Sequence, residues 1–238
     1  MSGVLFLLPT PIADGPLDGV LPEVVIATAR RIDHYLAENA KSARAFLKLA
    51  GHPRPLRELS IIEIGHEPRG DAIEAWLAPL AAGHDIALVS EAGCPAVADP
   101  GATLVAAAHA RGWRVRPLVG PSAILLALMA CGLNGQHFRF HGYLPIGKDE
   151  RSARLQLLER ESRGGETQVF IETPYRGDAL FEAILASCAG TTRIAVAIDL
   201  TGGREFVGMH TVEAWRKTPV SARPSLQKRP AVFCLLAG

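Results

Sequence analysis

The sequence contains no uninterrupted apolar run of the ~18 residues that a membrane-crossing helix needs. The opening Met-Ser-Gly-Val-Leu-Phe-Leu-Leu-Pro has no basic segment before its apolar part, and Pro9 ends that part early, which argues against a secretory signal. We read it as the first buried strand of a cytoplasmic protein. Charge of one sign is also missing. Lys and Arg number 25 against 24 Asp and Glu, a net charge of +1, so no global basic field points to nucleic acid, although a local patch remains open. The four cysteines, Cys94, Cys131, Cys188 and Cys234, form no C-x-x-C pair, which excludes a zinc knuckle or thiol redox motif. Three lie in apolar runs, where reduced, buried thiols are expected. No metal site is expected. His137 and His141, four apart in an extended segment, read as two side chains on one strand face. There is no G-x-G-x-x-G after a strand, no G-x-x-x-x-G-K-[ST] and no G-x-S-x-G, which removes the dinucleotide cradle, the P-loop and the serine hydrolase elbow.

What is present is an alternation. Short apolar runs at Val4–Leu8, Asp85–Ser90, Arg114–Leu118, Phe138–His141, Gln168–Glu172, Arg193–Asp199 and Ala231–Leu236 have the character of strands buried on both faces. Helical patterns fall between them at Glu23–Arg31, Ala43–Leu49 and Asp71–Ala82. Asp99-Pro100-Gly101 predicts a helix capped by Asp99 with Pro100 in its first turn, and Gly112 predicts its end. Ser122 predicts the cap of a further helix ending before Gly132; being apolar all round, it should be buried. The fold class is α/β in two domains: an N-terminal, mostly parallel open sheet over residues 1–118, and a C-terminal mixed sheet over residues 119–238. Within the second, residues 202–215 read as strand, turn, strand and short helix.

Three of the strands run into stiff loops of small residues. These are "PTPIADG" after the first, "SEAGCPAVADPG" after the one ending at Ser90, and "LVGPSA" after the one ending at Leu118. Ligands of open α/β sheets bind at the carboxyl ends of strands. Small side chains let a ligand reach main chain, and Pro95 and Pro100 hold that chain in place beforehand. One such loop is an ordinary connection; three at successive strand ends point to a ligand site.

The blocks "LPTPIADG", "ALVSEAGCPAVADPG", "RPLVGPSAILLALMACGL", "FHGYLP" and "VFIETPYR" resemble, in order, those of the tetrapyrrole methylase (class III) superfamily of S-adenosylmethionine (SAM) methyltransferases. They look closest to the branch that methylates the 2′-hydroxyl of a cytidine in 16S ribosomal RNA. The resemblance implies two α/β domains with SAM in the cleft between them, and a homodimer. The positions it implies for cofactor contact are Pro11 and Ile12, then Ser90, Glu91, Ala92, Gly93 and Val97, then Ser122 and Ala123. In the second half they are Leu144 and Pro145, Glu172, Thr173 and Pro174, and Pro230. The branch reads A-E-D-T-R after its second strand. Here Ala37 and Glu38 match, while Asn39, Ala40 and Lys41 replace D-T-R, and E-S-P-H-R has become Glu172-Thr-Pro-Tyr-Arg176.

Methyl transfer from a sulfonium needs alignment, exclusion of water and carbonyl dipoles around the positive sulfur. A ribose hydroxyl also needs a base or strong acceptor. Glu38, Lys41 and Arg176 are the catalytic candidates, with Glu172 as a further acceptor or an anchor. Arg139, Lys148, Arg151, Arg154, Arg223, Lys228 and Arg229 supply charge for RNA phosphates. The expected function is in-line methyl transfer from SAM to RNA, with ribosomal RNA as partner. A small-molecule methyltransferase and a non-catalytic SAM-binding module stay open as alternatives.

Overall fold

A computed structural model describes residues 2–65 and 70–238. The chain divides into two compact units, Met1–Ser122 and Ala123–Gly238. Each has its own five-stranded sheet.

The first unit contains β1 (Val4–Leu7), α1 (Glu23–Arg31), β2 (His34–Ala37), α2 (Ala40–Ala50), β3 (Ser60–Glu63), α3 (Gly70–Ala81), β4 (Ile86–Val89), α4 (Ala102–Ala110) and β5 (Arg114–Pro117). The strand order is β3-β2-β4-β1-β5, and every pairing is parallel. Side chains alternate between faces along each strand. Phe6, Leu8, Tyr35, Ala37, Ala87 and Val89 join the core that Val25, Ile26, Phe46 and Leu47 of α1 and α2 complete. Leu5, Leu36, Ile86 and Leu88 join the core completed by Ile73, Leu77, Leu80, Leu104 and Ala108 of α3 and α4. Helices on both faces explain why the central strands read as unbroken apolar runs.

Two local expectations are corrected here. α4 begins at Ala102 and not at Pro100; its cap is Gly101, with φ +137°, and Asp99 does not cap it. A Cβ at Gly101 would lie 2.6 Å from Leu88 Cδ2, so the chain needs a glycine where it turns over the end of β4. α2 begins three residues earlier than its apolar pattern, because Asn39 Oδ1 accepts from Lys41 N (2.9 Å) and Ser42 N (3.2 Å).

The second unit contains α5 (Ala123–Ala130), β6 (Phe138–Tyr143), α6 (Lys148–Ser162), β7 (Thr167–Glu172), α7 (Gly177–Ser187), β8 (Arg193–Ile198), β9 (Phe206–Thr211), α8 (Val212–Lys217) and β10 (Ala231–Leu236). The order is β6-β7-β10-β8-β9, with β6 and β7 parallel and the other pairs antiparallel. Phe170 and Phe233 face each other across β7 and β10 with rings stacked at 5.6 Å, in a core shared with Leu155, Leu158, Leu180, Phe181, Ile184 and Trp215. The stretch 202–215 carries one strand and a helix, since Gly202 closes a turn back to Asp199 and β9 pairs with β8. α5 is not buried all round. It packs on β7 and β10 through Ala127 and Leu128, while Leu125 and Met129 on its other side are 53% and 80% exposed.

Candidate functional site

In the first unit β4, β1 and β5 are neighbours, so parallel pairing delivers the loops that follow them to one edge. Those loops are stitched together. Thr10 N donates to Gly93 O (2.9 Å), Gly93 N donates to Thr10 O (3.1 Å), and Thr10 Oγ1 donates to Ser90 O (3.3 Å). A Cβ on Gly93 would lie 3.3 Å from Ile12 Cγ2 and 3.5 Å from Pro121 O. The Cys94 thiol donates to Pro121 O at 3.4 Å; burial, and then Asp99, push its pKa up and keep it protonated. A Cβ on Gly120 would lie 2.3 Å from Pro9 Cβ, the closeness with which the third loop meets the first. Ala96 and Ala98 hold left-handed backbone (φ +66° and +63°), a conformation that survives in alanine only where surroundings impose it.

Pro11, Ile12, Ser90 and Gly93 are thus brought together. Glu91, Ala92 and Val97 are exposed on the same loop, and Ser122 and Ala123 stand half-buried where α5 begins. Ser90 Oγ is buried with no hydrogen-bond partner among the described residues. An orphaned hydroxyl is destabilising by about 1–3 kcal/mol unless a ligand meets it. This atom is the sign that the edge fits a polar ligand.

The end of β2 lies beside this loop. Glu91 N donates to Glu38 Oε2 (3.2 Å), and Ser42 Oγ donates to Glu91 Oε1 (2.7 Å). Glu38 and Ser42 therefore anchor both ends of Glu91. Lys41 is exposed in the first turn of α2.

In the second unit, β6, β7 and β8 end at the edge where β10 begins, because β10 runs against β7 and β8. Glu172 is the last residue of β7, with 2% of its side chain exposed. Its Oε1 accepts from Thr173 N (2.7 Å) and from Arg176 Nε (2.9 Å), and Arg176 Nη2 approaches it to 2.6 Å. Arg176 is thus held by the carboxylate it follows. Pro174 O accepts from Lys228 N (2.8 Å), and Pro230 O accepts from Asp199 N (3.3 Å), so Pro174 and Pro230 join the same edge. Pro145 is half-buried there. Leu144 points into the core beside Phe170 and Leu180, which leaves its main chain as the part a ligand could meet.

Sequence reasoning did not single out Thr10, Ser42 or the loop Asp199–Arg204. Asp199, Thr201 and Lys228 all have positive φ, and Arg229 Nε and Thr201 Oγ1 are buried without partners among the described residues. Only Thr10 had a signal, its place in "PTPIADG". A cavity of about 510 Å³ lined by His137, Arg139, Glu161, Gly164 and Glu166 lies at the opposite end of β6 and β7. Its walls are tied by the Arg139–Glu166 ion pair (3.4 Å), so volume alone does not mark the site. Among the described residues no group of three or more His, Cys, Asp or Glu could hold a metal ion, and no helix is long and apolar enough to cross a membrane.

The family profile of the tetrapyrrole (corrin/porphyrin) methylases matches residues 23–213. The chain is 36% identical over 199 residues to "Ribosomal RNA small subunit methyltransferase I" of Bacillus subtilis, covering 84% of this chain and 64% of that protein. It is 31% identical over 243 residues to the protein of that name from Pseudomonas aeruginosa, covering 100% of this chain and 79% of that one. The chain therefore spans just under two thirds of the Bacillus relative. Among solved structures, uroporphyrin-III-C-methyltransferase of Thermus thermophilus aligns with a TM-score of 0.56 at 19% identity, covering 99% of this chain and 93% of that one. The methyltransferase CobJ aligns with a TM-score of 0.61 at 17% identity over all of both chains, and both likenesses concern the fold. The two sheets, the stitched loops and the match over most of the sequence place this chain in the tetrapyrrole methylase family.

Proposed function

We propose that this protein is a SAM-dependent methyltransferase acting on a ribose 2′-hydroxyl of small-subunit ribosomal RNA. The observation that carries the RNA reading is the 31–38% identity to relatives named for ribosomal RNA methylation, over 84% or more of this chain. The donor reading is supported by the stitched loops and the orphaned Ser90 hydroxyl. SAM supplies a methyl group on a positively charged sulfur. The residues that would hold it are Pro11, Ile12, Ser90–Gly93, Val97, Ser122 and Ala123, and the resemblance adds Leu144, Pro145, Glu172–Pro174 and Pro230.

Fixed main chain lowers the ordering that binding would otherwise require. Alignment alone supplies on the order of 7–11 kcal/mol in favourable displacements. Glu38 is assigned as the acceptor for the ribose hydroxyl proton, because its carboxylate already holds the donor loop through Glu91 N. Lys41, exposed next to it, is assigned to the RNA charge. Arg176, locked on Glu172, is assigned to orient the acceptor strand. A homodimer belongs to the same reading, and the exposed Leu125 and Met129 on α5 support it.

The test is transfer of labelled methyl from SAM to unmethylated small-subunit RNA, followed by digestion to nucleosides. Label in a 2′-O-methylnucleoside is the expected result. SAM binding by calorimetry with no label on RNA would move the activity to a small molecule, and no SAM binding would leave a module without the chemistry. Ser90→Ala should weaken SAM roughly tenfold while leaving stability unchanged or raising it by up to ~1 kcal/mol, since it removes an unsatisfied buried group.

A further inference from the structure

Next to Glu172–Pro174 stands a side chain that no role above uses. Tyr175 is 84% exposed, more than any other large apolar or aromatic side chain among the described residues. A lone exposed ring is unremarkable; its setting is not. The turn that carries it is fixed by Thr173 N and Arg176 Nε donating to Glu172 Oε1, and by Arg176 N donating to Thr173 O at 3.1 Å. A second segment is bonded to that turn, Lys228 N donating to Pro174 O at 2.8 Å. Lys228 has φ +56°, which an unbranched L residue adopts at a penalty, and the bond to Pro174 helps hold it so. The Lys228 side chain is exposed and makes no ion pair among the described residues. An exposed ring and an exposed lysine are thus carried on two segments whose main chains are bonded to each other.

Proteins that hold single-stranded nucleic acid combine two parts. An aromatic ring stacks on a base, whichever base it is, and a cation meets the phosphate. We propose that Tyr175 and Lys228 form one nucleotide grip, the phenol ring stacking on an unpaired base of the RNA and the Lys228 ammonium meeting the adjoining phosphate. This rests on the RNA reading above. Stacking selects a single-stranded or splayed acceptor, because the faces of paired bases are covered. The rigid mounting means that little ordering is needed when RNA arrives.

The experiment uses the full chain, a fluorescein-labelled single-stranded RNA oligonucleotide and anisotropy over a potassium chloride series, with SAM calorimetry and thermal melting in parallel. Tyr175→Ala should weaken RNA binding roughly 5- to 150-fold with an unchanged salt slope. Tyr175→Phe should keep affinity within about twofold, because the ring and not the hydroxyl acts. Lys228→Gln should flatten the slope by about 0.7, the loss of one phosphate contact on a single strand. SAM affinity and melting should stay as in the wild type for all three. Wild-type RNA affinity in Tyr175→Ala overturns the grip and leaves the RNA reading standing. Loss of SAM affinity in that variant places the ring on the donor and also overturns the grip. Absence of salt-sensitive RNA binding by the wild type removes the RNA reading, and the grip with it.

Discussion

The two strand-end edges are held rigid by different chemistry. In the first unit all five strands run one way, so the loops that follow β1, β2, β4 and β5 arrive at the same edge. Those loops are tied by main chain to main chain, as in the reciprocal Thr10–Gly93 bonds, and by small residues in near-contact, as where Gly120 meets Pro9. In the second unit β9 and β10 run against β6, β7 and β8, so the edge mixes strand ends with strand beginnings. Its segments are tied by charged side chains, Glu172 with Arg176 and Asp199 with Arg204 N and Arg229. Steric fit should therefore govern the first edge and charge pairing the second.

The largest expected effect tests the steric half. Gly120→Ala puts a Cβ 2.3 Å from the Pro9 ring, which has no rotamer to yield, and should destabilise by about 3 kcal/mol in urea unfolding. The matched change in the second unit, Gly177→Ala, meets Leu226 Cβ at a longer 2.9 Å and gains about 1 kcal/mol of helix propensity at the start of α7, so its loss should be smaller, about 1 kcal/mol. Equal losses would break the comparison. Next comes Glu172→Gln, which strips a buried carboxylate from Arg176 and should destabilise by about 2 kcal/mol. Hydrogen exchange should show that loss in β7 and β10 and leave β1 and β4 as in the wild type.

The smallest effect is a pH dependence. His141 Nδ1 accepts from Arg154 Nη2 (3.0 Å) and its Nε2 donates to Gln168 Oε1 (2.6 Å), which fixes the neutral tautomer. Burial first, and then the Arg154 charge against the favourable Gln168 bond, leave its pKa below the usual 6.5. The unfolded chain then takes up the proton first. The stability is complete above about 6.5 and falls as the solution is acidified through the lower folded value. The protection of β6 amides, measured relative to their intrinsic exchange at each pH, should fall on going from about pH 7 to about pH 5, and His141→Asn should flatten that response.

The sequence showed best what depends on short range. Val4–Leu7, Ile86–Val89 and Ala231–Leu236 are apolar runs ended by Pro, Gly or small polar residues, and they are strands as read. His34–Ala37 and Ser60–Glu63 were not read as strands, because four residues carrying histidine or glutamate lack both a run and an alternation. Asp99 looked like a cap, but the tight passage over Leu88 demanded glycine two residues later. The apolar sequence of α5 could not tell which side a sheet would cover. The loops of the first edge could be listed from the sequence; the bonds joining Thr10 to Gly93 could not, since nothing local announces a pairing between residues so far apart. The left-handed backbone of Lys228 had no signature at all.

The placement of β1 has a consequence for synthesis on the ribosome. Among the described residues this strand pairs with β4 and β5 alone, so it is made well before either partner. At translation speeds of ~5–20 residues per second, Val-Leu-Phe-Leu stays without a neighbour for on the order of 5–15 s. During that interval the nascent chain displays a bare strand edge, and a holding chaperone would find its target at Val4–Leu7.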